Sequence, residues 1–279
     1  PFWEKQVSSE VSGLPLDHPA ADGTEASAET CPVTFTRAET EALLREAPAA
    51  YRTQVNDLLL AALAQTFQRW TGQGHLLVDL EGHGREPFVP GTDLAGTVGW
   101  FTSIYPILLR LPEGSNGDIV KGIKEQLRAV PSGGVGYGLL RYLSQHPGAV
   151  RLQQPSSPQV CFNYLGQLDR GAAGQSLFEL AAGPTGREHG PSNVMRYEFN
   201  INADITDGCL TVNWTYSRAR IDRSTMDRLA ASYRRHLCDL IAHCCSPEAG
   251  GYTPSDFPDV DLDQDALDTI LQSMESHAR

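Results

Sequence analysis

The densest group of reactive side chains in this 279-residue sequence is Glu81-Gly82-His83-Gly84-Arg85-Glu86, four ionisable residues among six, interrupted by two glycines. An apolar, strand-like run from Leu76 to Leu80 delivers the chain directly into it. In α/β folds the carboxyl ends of strands present reactive groups at a crevice, and glycine lets the chain turn tightly and lets a ligand or a second backbone approach. A carboxylate there, its proton affinity raised by apolar surroundings, has the chemistry of a general acid or base. His83 could serve as a second proton carrier or as a hydrogen-bonding prop. Arg85 could clamp Glu81 or Glu86 through a bidentate pair. The same residues would also make a polar turn closed by a structural ion pair.

Two further groups carry weaker signals. Thr97-Val98-Gly99-Trp100-Phe101-Thr102-Ser103 sets Gly99 between β-branched and aromatic residues. Within a strand, such a glycine marks a bulge or a close contact with a ligand. Trp100 and Phe101 would serve as well in a core. Phe162-Asn163-Tyr164-Leu165-Gly166-Gln167 stands at a predicted strand end. Asn163 and Tyr164 point to opposite faces if the strand persists, and either could donate to a developing oxyanion or support structure. The glycine-rich stretch Pro131 to Gly138 is not a phosphate cradle, because it lacks a terminal Gly-Lys-Ser/Thr and follows a predicted helix. The sequence holds no Gly-x-Ser-x-Gly and no His-Glu-x-x-His. Its six cysteines form no Cys-x-x-Cys and no zinc-spaced cluster. We expect free thiols in a reducing cytoplasm.

The elements that must position these groups follow from periodicity. Cys31 to Phe35 reads as a strand, and Thr36 opens a capping box for a helix to about Glu46. Asn56 to Trp70 carries Leu59, Leu60, Leu63, Phe67 and Trp70 as the apolar stripe of a buried helix. Thr97 to Leu111 predicts one long or broken strand, and Asp118 to Val130 an amphipathic helix stopped by Pro131. The glycine-rich turn leads into a helix near Leu139. Strands are expected at Gln159 to Tyr164, Leu177 to Ala181, Arg196 to Ile205 and Leu210 to Tyr216, the last two joined by a tight Asp207-Gly208 hairpin. Ser224 to His243 is a long helix, and Gln264 to Met274 a short final one. The class is α/β, with a mixed sheet and flanking helices.

Composition bounds the function. The chain is 41% hydrophobic and 20% charged, long enough for one large domain or two smaller ones. A formal charge of −12 makes general nucleic-acid binding a poor fit. No run of about eighteen apolar residues suggests a membrane span. Neither nucleic acid nor membrane is therefore expected as a partner.

In order and spacing, the Glu81 group, Thr97 to Thr102, Pro131 with Gly134-Val135-Gly136-Tyr137-Gly138, and Phe162 to Gly166 resemble the later core motifs of nonribosomal peptide synthetase epimerization domains. These belong to the condensation-domain superfamily, whose condensation members generally lack the first motif. The resemblance spans nearly the whole chain. It implies a chloramphenicol acetyltransferase-like fold of two α/β lobes in a V, of which this chain is the C-terminal half. Residues 1–30 would form an inter-lobe linker or N-terminal extension, 31–250 the C-terminal lobe, and 251–279 an acidic module-boundary tail with a short helix. The start, Phe2-Trp3 through Leu14-Pro15-Leu16-Asp17, resembles mid-domain sequence.

The resemblance also implies a chemistry. An aminoacyl or peptidyl group, thioester-linked to the phosphopantetheine arm of a peptidyl carrier protein, would lose its Cα proton and regain one on the other face. No cofactor would bind this chain itself, and its partners would be the carrier protein and the N-terminal half of the same domain. Glu81 would carry proton transfer, with Asn163 and Tyr164 as further catalytic candidates. His83, Arg85, Gly99, Trp100, Thr102 and Tyr137 would bind substrate or support the site. The family's His-His-x-x-x-Asp motif is absent, since none of the eight histidines adjoins another. The chain alone is therefore expected not to epimerize, and racemization of a carrier-bound aminoacyl thioester by the purified chain would refute that. Two other readings remain: a condensation-type acyl transferase, and a non-catalytic carrier-docking lobe using Arg218, Arg220, Arg223, Arg234 and Arg235.

Overall fold

A computed structural model describes residues 2–7, 11–86, 91, 93–153, 158–168, 186, 188–260 and 262–277. The strand expected at Leu177 to Ala181 lies outside the described residues.

Six strands form one mixed sheet in the order β1-β6-β5-β4-β2-β3. They are β1 (Ala28–Thr34), β2 (His75–Gly82), β3 (Ser103–Arg110), β4 (Val160–Gln167), β5 (Phe199–Thr206) and β6 (Cys209–Ser217). The centre is parallel: β4 runs with β2 on one side and with β5 on the other. The edges are antiparallel, with β3 on β2 and β1 on β6. Asp207 and Gly208 both take positive φ, 52° and 72°, in the turn between β5 and β6. Those are the dihedrals that a two-residue hairpin with the native twist requires.

The helices are α1 (Phe2–Gln6), α2 (Arg37–Glu41), α3 (Ala47–Tyr51), α4 (Val55–Thr71), α5 (Asn116–Arg128), α6 (Val135–Gly138), α7 (Val150–Gln153), α8 (Arg223–Cys244) and α9 (Gln264–His277). The expected capping box opens α2: the Glu39 amide donates to Thr36 Oγ1 at 3.2 Å, and Glu39 Oε2 accepts from the Thr36 amide at 2.7 Å. A π-helical turn, Ala42–Glu46, links α2 to α3. Another, Leu139–Leu143, is the helical segment expected to start near Leu139. Lys124 on α5 is buried, and its Nζ donates to Asp256 Oδ1 at 2.7 Å, tying the C-terminal segment to the lobe.

The sheet has one apolar and one polar face because successive side chains alternate. On the apolar side, α4 and α8 pack over the strands, and Phe67, Phe199, Trp214 and Tyr233 meet with ring centroids 5.5 to 6.0 Å apart. On the polar side, Asn200, Asn202, Asn213 and Thr215 stand half-buried.

Two expectations change. Residues 97–102 are not strand, and β3 begins only at Ser103. The linker expectation for residues 1–30 also shifts at both ends. Phe2–Gln6 is a helix whose buried Trp3 lies 5.8 Å from Tyr105 and 5.2 Å from Tyr137, and Ala28 to Thr30 already pair with β6. Large aromatic area drives the first, and backbone pairing drives the second.

Candidate active site

Glu81 is the penultimate residue of β2, and its side chain shares the polar face with its neighbours on β4. The parallel register sets Asp79 opposite Cys161 and Leu80 opposite Phe162. Residues two apart share a face, so Asp79, Glu81, Cys161 and Asn163 line one side while Val78, Leu80 and Phe162 enter the core. Asn163 Nδ2 donates to Glu81 Oε2 at 2.9 Å, and Cys161 Sγ lies 4.0 Å from Oε1. The segment before β5 completes the group. Tyr197 Oη donates to Asp79 Oδ2 at 2.8 Å, and Arg196 Nη2 lies 3.8 Å from the same oxygen.

Electrostatics follow from burial. Desolvation raises the Glu81 carboxyl above its usual range, and the Arg196 charge opposes that rise. Asp79 is raised by burial too, against the Tyr197 hydrogen bond and the charges of Arg196 and Arg141. Burial, reinforced by the Glu81 and Asp79 charges, pushes the Cys161 thiol up to about 12, so it is no nucleophile. The arrangement holds one carboxyl, Glu81, at the open end of a polar patch with an amide on one of its oxygens. A carboxyl whose proton affinity is raised in this way has the chemistry of a group that takes up and returns a proton.

The other expected residues separate. Asn163 joins Glu81, whereas Tyr164, next along β4, packs partly buried against the apolar core on the other face. Arg85 clamps neither Glu81 nor Glu86, contrary to the bidentate pair expected. It donates to the carbonyls of Leu94 and Gly99, and its guanidinium lies 4.2 Å from the Phe101 ring centroid. The reason is local: Gly84, at φ 66°, turns the chain so close to Phe101 that any Cβ there would strike the Phe101 carbonyl. His83 faces Glu86, with Nε2 to Oε1 3.2 Å, and its Nδ1 accepts from the Arg85 amide at 3.0 Å. Its contacts are therefore with the turn, and none is with Glu81 among the described hydrogen bonds and ion pairs.

Gly99 supplies a carbonyl to Arg85, and Thr102 is exposed just before β3. Trp100 is 91% exposed, so the core reading fails for it, while Phe101 is half-buried beneath Arg85. Tyr137 is buried, packs on Trp3 and accepts from Arg141 Nη1 at 3.0 Å. Its turn nevertheless reaches the site: a Cβ on Gly82 would lie 3.2 Å from the Gly133 carbonyl. Gly134, at φ 84°, leaves no room for a side chain against the Tyr105 ring.

Asp79, Cys161, Arg196 and Tyr197 are members of the Glu81 cluster that the sequence pattern did not single out. Asp79 carried a usable signal, as the one charge in the apolar run Leu76 to Leu80, two residues before Glu81. Arg196 and Tyr197 carried none, because only the parallel β4–β5 pairing brings them there. Of the five arginines suggested for docking, Arg220, Arg223 and Arg234 are spent on Glu198, Glu29 with Asp227, and Glu39. Among the described residues, no three His, Cys, Asp or Glu side chains are grouped to hold a metal, and no helix is long and apolar enough to cross a membrane.

The sequence and the fold have counterparts in known proteins. The family model of the condensation domain matches residues 1–262, and the chain belongs to that family. It is 43% identical over 273 residues to a linear gramicidin synthase of Brevibacillus parabrevis, covering 97% of this chain and 5% of that protein. Over 264 residues it is 45% identical to chondramide synthase cmdD of Chondromyces crocatus, covering 95% and 7%. Among solved structures, the epimerization domain from the third module of tyrocidine synthetase B superposes with a TM-score of 0.80 at 35% identity, covering 88% of this chain and 55% of that one. The X-domain from teicoplanin biosynthesis, at 19% identity and a TM-score of 0.63, shares the fold. The chain thus spans a small fraction of its curated relatives and about half of the superposed epimerization domain. It is a condensation-family domain of the nonribosomal peptide synthetase type, with the expected chloramphenicol acetyltransferase-like α/β fold.

Proposed function

We propose that this chain is the Glu81-bearing half of an epimerization domain, which inverts the Cα of an aminoacyl or peptidyl thioester presented on the phosphopantetheine arm of a carrier protein. The observation that carries this reading is the Glu81 carboxyl itself. It stands at the end of β2 on the polar face of the sheet, raised by burial, with the Asn163 amide 2.9 Å from one oxygen. A thioester acidifies its α-proton, and removing that proton leaves an enolate-like intermediate. Glu81 takes the proton from Cα on one face, or returns one there when the reaction runs the other way. The group opposing it would come from the half of the domain that bears the paired histidines. Amide-bond formation needs no carboxyl at this position, and the motif around Glu81 favours epimerization over condensation.

The test is Glu81→Gln in an intact two-lobed domain. It should abolish exchange of the substrate α-proton with solvent deuterium while carrier binding stays nearly unchanged. Exchange at the parent rate would refute the assignment, and a new peptide bond in place of an inverted Cα would establish the condensation reading.

A further inference from the structure

Behind Glu81 lies a second, more deeply buried carboxylate that the proposed proton transfer does not use. Asp79 is 6% exposed, shares the polar face of β2 with Glu81 two residues away, and is fastened by the Tyr197 hydroxyl at 2.8 Å. A buried carboxylate needs compensation, and the Arg196 guanidinium, 3.8 Å away and resting 5.0 Å from the centre of the Tyr197 ring, provides part of it. Among the described residues, the same guanidinium is the cation whose charge bears on Glu81. Asp79 thus holds the arginine whose charge also acts on Glu81.

We propose that Asp79, anchored by Tyr197, is a positioning residue that engages Arg196 and so fixes the charge beside Glu81. The inference rests on Glu81 being the proton-transfer group. Arg196 fully committed to Glu81 would lower its proton affinity; with no arginine nearby, burial would act unopposed and raise it further. With Asp79 in place, the arginine is shared and Glu81 stays between those limits, where a group that must both accept and return a proton works best. The remaining surroundings do not supply this control. Cys161 on β4 is a neutral thiol, Ile104 and Pro106 are what β3 sets opposite Glu81 and Asp79, and Arg141 bears on Asp79 rather than Glu81. His83 and Glu86 face each other.

The test compares pH profiles of α-proton exchange for Asp79→Asn and Arg196→Gln in the intact domain, with Glu81→Gln alongside. Asp79→Asn removes a negative charge and frees the arginine, so the Glu81 limb should move to lower pH by about half a unit to one unit. Arg196→Gln should move it to higher pH by a similar amount. Because Arg196 is 63% exposed, its variant keeps the test open even if Asp79→Asn fails to fold. A merely structural role would lower the rate without displacing the limb. If either limb stays in place or moves the wrong way while Glu81→Gln is inactive, the positioning role is overturned. If Glu81→Gln still exchanges, it is the proton-transfer assignment that fails.

Discussion

The two faces of the sheet are built from the same strands in the same register, yet they obey different rules. On the covered face, Val78, Leu80, Phe162, Ile201 and Trp214 are at most 2% exposed and pack within one apolar core. One residue along each strand, the other face sets Asp79, Glu81, Cys161 and Asn163 side by side, with two carboxyls raised by burial. The covered face lowers the free energy of the fold through area removed from water. The polar face holds charges that would be better solvated elsewhere, and it is there that proton chemistry is available. Strand alternation lets one backbone carry both.

The largest expected difference between the faces is in stability. Trp214→Ala empties a site shared by Phe67, Phe199 and Tyr233 and should cost about 3–5 kcal/mol. Asn163→Ala, on the polar face, removes one hydrogen bond to a partly exposed carboxyl and should cost about 1 kcal/mol. Urea denaturation followed by circular dichroism measures both. In an intact domain the order reverses for activity: Asn163→Ala should slow α-proton exchange roughly tenfold to a hundredfold through the loss of a donor at the site. Equal stability losses in the two variants would erase the distinction between the faces.

Much of this architecture is legible in the sequence, for reasons that are local. The stripe Leu59, Leu60, Leu63 and Phe67 predicted α4, Asp207-Gly208 predicted the β5–β6 hairpin, and Thr36 with Glu39 predicted the start of α2. Each signal lies within a few residues and depends on backbone geometry alone. Legibility failed where the answer was non-local. Residues 97–102 have strand-like composition, but Arg85 fastens the Gly99 carbonyl and covers Phe101, which leaves Trp100 in solvent. Arg85 looked like a partner for nearby acids, but the turn at Gly84 carries it to two backbone carbonyls. At the site, Glu81 and Asn163 were visible as motifs. Their contact, and the Asp79–Tyr197–Arg196 group behind them, depends on strands β2, β4 and β5 lying side by side, which short-range sequence pattern does not encode.

The smallest expected effect also sharpens the comparison most directly, because its sign differs from that of a core substitution. Glu81 has a higher proton affinity in the folded chain than a carboxyl has in the unfolded one. From the unfolded carboxylate range, about 4, up to the raised folded value, the native state binds more protons than the unfolded state, so stability falls as pH rises through that window. Glu81→Gln removes this contribution. Its stability should therefore decline less steeply than the parent's between about pH 4 and the raised folded value, and at neutral pH it should be at least as stable as the parent. Denaturant midpoints of the two proteins across that range measure the difference. A variant that gains or keeps stability while losing exchange would place Glu81 among residues retained for chemistry at the expense of the fold. A parallel pH dependence in both proteins would mean that the burial around Glu81 does not perturb it, and the contrast between the two faces would then rest on packing alone.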